Sequence, residues 1–266
     1  MILALNAWWG LAIAAGAALA YALLALAAPR LGSGAVRGLL LAAWFLHALT
    51  LAEGLLGTPP RFGFAPALSM TVWLVLTVYA IESRLFPQLS AHWALAGLGS
   101  AAVVLALVFP GTSYHAIASP WLPLHWALGI ASYGLFAAAV VHGWLMTRAE
   151  RAIRLATQSG AGVPLLTLER LTFRFVEAGF VLLSATLLVG WLFAETLHGP
   201  GLTWKWNHKT VFSVLAWLVF AGLLTGRARL GWRGLKAVRV LYLGAGLLLL
   251  GYAGSSFVLE VILRRT

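Results

Sequence analysis

Eight apolar runs follow one another along the chain with little between them, over residues 5–28, 38–56, 65–81, 91–109, 121–146, 175–194, 209–226 and 238–262. Each is close to the roughly 20 residues that carry a helix across a bilayer. Backbone in lipid must satisfy its own hydrogen bonds, which leaves helices or closed barrels, and runs of this length are helical. Charged residues make up only 9% of the 266 positions and hydrophobic ones 62%; soluble domains average about 25% charged. The expected fold is therefore all-α: a polytopic membrane helical bundle with eight transmembrane helices. It forms a single transmembrane domain over residues 1–266 and no soluble domain.

The connections alternate in charge. Arg30 and Arg37 lie in the first, Arg84 in the third, and Arg148, Arg151, Arg154, Arg170 and Arg174 in the fifth. Arg227, Arg229, Arg233, Lys236 and Arg239 lie in the seventh, whereas the even connections hold only Arg61, Lys205 and Lys209. Basic loops stay on the cytoplasmic side. The expectation is a multi-pass protein of a bacterial inner membrane with both termini on the outer face. The first run lacks a basic leader and is read as a retained span. This distribution also accounts for the net charge of +11 without nucleic acid, for which no basic groove or arm is visible. The bilayer is the partner that composition itself requires.

Cysteine is absent, which removes disulfides, thiolate metal sites and thioether attachment of a cofactor. Histidine is left as the nitrogen ligand for a transition metal. His125 opens the fifth run and His208 the seventh, both at the outer face. Two imidazoles at equal depth on different helices suit the two axial positions of a haem iron. Around them stand Trp121 and Trp126 on one side, and Trp204, Trp206 and Lys209 on the other. Indole rings supply flat stacking faces, and Lys205, Lys209 and Arg61 supply cations for propionates. A flat anionic metal macrocycle uses all three features at once, and haem is the common one. Tryptophan also anchors helices at both membrane interfaces, and a histidine at a helix end can simply be hydrated, so both accounts stand at this point.

His47 lies near the middle of the second run and must face the bundle interior, as a hydrogen-bonded core residue or as a ligand or relay. His92 and His142 fall near inner ends, where a second metal site is the sharper reading. His115 and His198 fall in outer loops. The connection over 147–174 contains a Gly-rich turn, and Leu165, Leu168 and Leu171 suggest a short interfacial helix within it. No Ser-His-acid spacing, phosphate-binding Gly loop or zinc-protease pair occurs, so the chain is not read as an enzyme.

The segment Trp204-Lys205-Trp206-Asn207-His208-Lys209, with Trp217 and the later Gly231-Trp232-Arg233-Gly234, resembles the cytochrome c assembly protein family. Its members handle haem through an outer Trp-rich loop, the WWD segment, of pattern Trp-x-Trp-Asp-x-Lys-Glu. Trp204, Trp206, Lys209 and Trp217 match at the same spacing. Leu124-His125 with Ser132-Tyr133 is similar to the family's outer histidine motif. The length looks most like the short CcsA-like members of the YpjD and HemX type. The resemblance implies haem as cofactor, a part in cytochrome c assembly, and membrane or periplasmic assembly partners. It departs where the family's Asp is Asn207 and its Glu is Thr210. Thr225 and Gly254 to Phe257 replace further histidines. Only His125 transfers residue by residue, and His208 is this chain's own candidate for the second axial position. Two other classes remain: a membrane regulatory or interaction subunit that has lost haem handling, and a transporter using His47, Glu53, Glu177 and Glu195.

Overall fold

The computed structural model describes residues 2–57, 61–85, 92–113, 121–155, 164–194 and 206–254, with the side chains at 2–7, 29, 85, 92, 121, 122 and 253 outside that description. The chain divides into two compact units, Met1–Ala116 and Ile117–Thr266.

In the first unit the helices are α1 (Ile2–Ala27), α2 (Ser33–Leu56), α3 (Phe64–Leu85) and α4 (His92–Val108). α1 packs on α2 and α4, and α3 packs on the same two, which closes a four-helix ring. A two-residue antiparallel ladder pairs β1 (Arg61–Phe62) with β2 (Thr112–Ser113). Several polar groups inside this apolar unit are bonded across helices, which suits a medium without water. Trp44 Nε1 donates to Thr77 Oγ1 at 2.8 Å and Trp73 Nε1 to the Trp44 carbonyl at 3.1 Å, while the two indoles stack 5.0 Å apart. Ser100 Oγ donates to the Ala18 carbonyl at 2.9 Å.

The second unit has the same cyclic order. It comprises α5 (Trp121–Arg154), α6 (Leu165–Leu192), α7 (His208–Leu230) and α8 (Gly234–Leu249), and a π-helical turn, Leu250–Gly254, ends it. α5 packs on α6 and α8, and α7 on α6 and α8. At the core, Phe136 and Phe220 stack 3.8 Å apart with ring planes 5° from parallel, so α5 and α7 meet through their side chains. Trp217 bridges to α6, where its Nε1 donates to Ser184 Oγ at 2.8 Å and its ring stacks on Phe180.

Among the described residues seven helices are long and apolar enough to cross a membrane; α4, at 17 residues, is shorter. Their outward faces are greasy, with Leu26 82% and Trp191 61% exposed, which suits lipid and not water. This is an all-α helical membrane protein.

Two expectations change. The separate interfacial helix proposed around Leu165, Leu168 and Leu171 is instead the start of α6, where Leu168, Thr172 and Phe173 are buried. No Gly or Pro interrupts 165–175, so nothing breaks the helix there. The fifth run also continues past 146 to Arg154, through Ala, Glu and Arg that favour helix.

The α7–α8 corner explains another part of the sequence. Gly231 is left-handed (φ 63°), and the Trp232 amide donates to the Gly226 carbonyl at 3.2 Å, a Schellman-type closure. The Trp232 ring covers Gly226, where a Cβ would come within 2.5 Å of it, and Lys236 Nζ sits 4.2 Å over the ring. Below the corner, Glu169 of α6 receives Arg227 at 2.9 Å and Arg233 at 3.8 Å. Arg227 also covers the Phe173 ring at 3.6 Å.

Candidate functional site

His125 lies in the first turns of α5 and His208 is the first residue of α7. The two helices are tied together deeper in the unit, where Tyr133 shares a hydrogen bond with Ser213. At 1.5 Å per residue, His125 stands about 12 Å above that tie along α5 and His208 about 7.5 Å above it along α7. Both imidazoles thus lie at the same end of the second unit. His125 is half-buried, with Nδ1 shielded from solvent, whereas His208 is exposed.

The start of α7 is built by its own cap. Asn207 is extended, and its Oδ1 accepts from the Thr210 amide at 2.9 Å and from Thr210 Oγ1 at 3.0 Å. These are the two positions where the resembled pattern has Asp and Glu, which would form a reciprocal capping box. The polar half of that motif therefore has a structural job here: it starts the helix that presents His208 and Lys209. Asn207→Ala is expected to lower stability by about 1 kcal/mol and Asn207→Asp to leave it near wild type. Thermal unfolding in detergent reads both, and equal melting of the alanine and wild-type proteins would contradict a capping role.

No acidic residue occupies the first turn of α7. Helix N-termini carry partial positive charge, so Lys209 adds cationic character to an end that already favours anions. Lys209 Nζ lies 5.3 Å over the ring of Tyr252, and Tyr252 is 6.1 Å from Tyr133. The π turn that carries Tyr252 comes close to α7 because Gly251 has no side chain: a Cβ there would meet Phe212 Cβ at 2.8 Å. Tyr133, Ser213 and Tyr252 thus form a polar aromatic layer beneath the two histidines. Sequence reasoning passed over Tyr252; its one signal was the small-residue stretch around it. Trp206 is 70% exposed beside this end, and Trp126 is half-buried. Trp204 and Lys205, with His115 and His198, lie outside the described residues, and so do the side chains of Trp121 and His92.

The remaining candidates belong elsewhere. His47 is fully buried in the first unit, with Nε2 2.8 Å from Ser69 Oγ and its ring edge-on to Tyr21 at 5.8 Å. His47 Nδ1 and the Tyr21 hydroxyl have no hydrogen-bond partner among the described residues. His142 is buried in the second unit, its Nδ1 2.8 Å from the Ala138 carbonyl one turn earlier. Among the described residues no group of three or more His, Asp or Glu could hold a bare metal ion. Haem makes no such demand, since the porphyrin supplies the equatorial ligands and the protein only the axial ones.

A ring of lipid-facing helices with a polar, His- and Trp-bearing end defines a multi-pass inner membrane protein. The chain belongs to the cytochrome c assembly protein family, which matches residues 33–263. It is 29% identical to the inner membrane protein YpjD of Escherichia coli strain K12 over 199 residues, 73% of this chain and 72% of that one. Over 90 residues it is 31% identical to the cytochrome c biogenesis protein CcsA of Synechococcus sp. strain JA-3-3Ab, covering 34% of this chain and 26% of CcsA. The CcsA of Cyanophora paradoxa is 33% identical over 87 residues, 33% of this chain and 26% of its own. No solved structure matches significantly.

Proposed function

We propose that this chain binds haem at the outer face of the membrane and serves cytochrome c assembly as a haem-handling protein, without catalysing attachment itself. The observation that carries the reading is that His125 and His208 stand at the same end of the second unit, on the helices joined by the Tyr133–Ser213 hydrogen bond. The donor set fits the group. Two imidazoles could serve as ligands to a haem iron, and exposed Trp206 with half-buried Trp126 offers flat faces at the same end. Lys209 and the α7 N-terminus favour propionate carboxylates. Trp204 and Trp121 join this set by sequence adjacency, and His47 remains a secondary candidate in the first unit.

When bound, haem supplies redox-active iron. The chain's residues would hold it: His125 and His208 would bind iron, the indoles would orient the ring, and Lys209 would balance charge. The family membership and the CcsA relatives support a place in cytochrome c biogenesis. Eight spans with both termini outside is the topology that places this end away from the cytoplasm, as the loop charges require. Loading with haem followed by an absorption spectrum tests the proposal, and absence of any bound absorbance would overturn it.

A regulatory subunit is the second reading, favoured by Asn207 and Thr210, which cap α7 in place of the family's acidic pair. Under it, haem-free protein would co-purify with a partner.

A further inference from the structure

A wide cavity lies in the first unit, remote in sequence from the histidine pair. It has a volume of about 820 Å³ and opens between the ends of α1, α2, α3 and α4 where Trp9, Leu55, Met70 and Leu107 form apolar walls. Two charges line it, Glu53 at the end of α2 and Arg61 of β1, both exposed. Neither side chain has a hydrogen bond or ion pair with another described residue. Glu53 rests on Gly10, where even a Cβ would overlap both carboxylate oxygens, so the bare backbone makes the room it occupies.

An open cleft with greasy walls, one carboxylate and one guanidinium is net neutral and amphipathic. It rejects a soluble polyanion, which would face Glu53 without compensation, and a simple hydrocarbon, which would leave both charges unused. We infer that this cleft binds a zwitterionic aminophospholipid, its phosphate on Arg61, its ammonium on Glu53 and an acyl chain along Leu55, Met70 and Leu107. Arginine forks match phosphate oxygens, and a primary ammonium donates to a carboxylate as a quaternary choline cannot. Trp9, 69% exposed at the rim, sits where indoles favour the headgroup level. The inference is independent of haem binding.

Delipidated full-length protein in detergent, titrated with phosphatidylethanolamine, phosphatidylglycerol or phosphatidylcholine of identical acyl chains, tests it by native mass spectrometry. Wild type is expected to retain phosphatidylethanolamine about fivefold better than the other two, the selectivity one partly solvated ion pair provides. Glu53→Gln should bring the three lipids level, and Arg61→Gln should weaken all of them. Leu107→Trp, which fills the cleft without touching either charge, should lower retention of all three. Equal retention of the three lipids by wild type overturns the proposal, as does an undiminished preference in Glu53→Gln.

Discussion

Replacing His125 and His208 together by alanine is expected to lower the haem recovered per protein at least tenfold. Each ligand lost removes an axial bond, and the remaining contacts, indole stacking and Lys209 pairing, are individually worth only about 1 kcal/mol or little more. Each single variant should keep part of the haem with a changed spectrum, because one imidazole still holds iron. The substitutions sit at the exposed or half-buried ends of α5 and α7, well above the Phe136–Phe220 core, so the fold should survive them. Haem content by absorbance, set against protein by amino-acid analysis, is the readout. A double variant with wild-type absorbance would show that iron is held elsewhere, and His47 would be the next residue to replace.

Phe220→Ala should be the most damaging single substitution in the second unit. The ring is fully buried, stacked at 3.8 Å on Phe136 of α5 and also close to Gly244 of α8, where a Cβ would come within 2.7 Å of it. One side chain therefore joins α5, α7 and α8. Truncating a packed aromatic costs about 3–5 kcal/mol, because the helices close only partly over the void. Thermal unfolding in detergent should show a large fall in midpoint, with Phe220→Leu milder. Gly244→Val, which drives atoms into the same ring, should destabilise by overpacking. A Phe220→Ala protein that melts with wild type would contradict this account of the core.

The spans were legible because lipid permits little else: apolar length and loop charge mark them without any tertiary information. Residues 65–81 became Phe64–Leu85 and 91–109 became His92–Val108. Where polarity and helix propensity disagreed, the sequence misled. Arg148 to Arg154 looked like a loop by charge yet continues α5, and 165–174 looked like a separate helix yet begins α6. Charged helix ends protruding from a bilayer have the composition of loops and the backbone of helices.

The candidate site was readable as a set of residue types, not as a geometry. Asn207 with Thr210 three residues later is a capping signal readable from sequence, but the resemblance drew attention to what the pair lacked. Trp217, matched to the Trp-rich motif, turns out to bond Ser184, a partner 33 residues away that no spacing rule reveals. The Glu169–Arg227 pair, 58 residues apart, was hidden for the same reason. His47 was expected inside from its depth alone, and it is buried, though its bond to Ser69 depends on how α2 and α3 are registered.

The most direct measurement is the absorption spectrum of the detergent-purified, haem-loaded wild-type protein, first oxidised and then reduced. Coordination by His125 and His208 predicts a low-spin spectrum with sharp paired visible bands on reduction, characteristic of two imidazoles on one iron. A spectrum no different from free haem in the same detergent would contradict it.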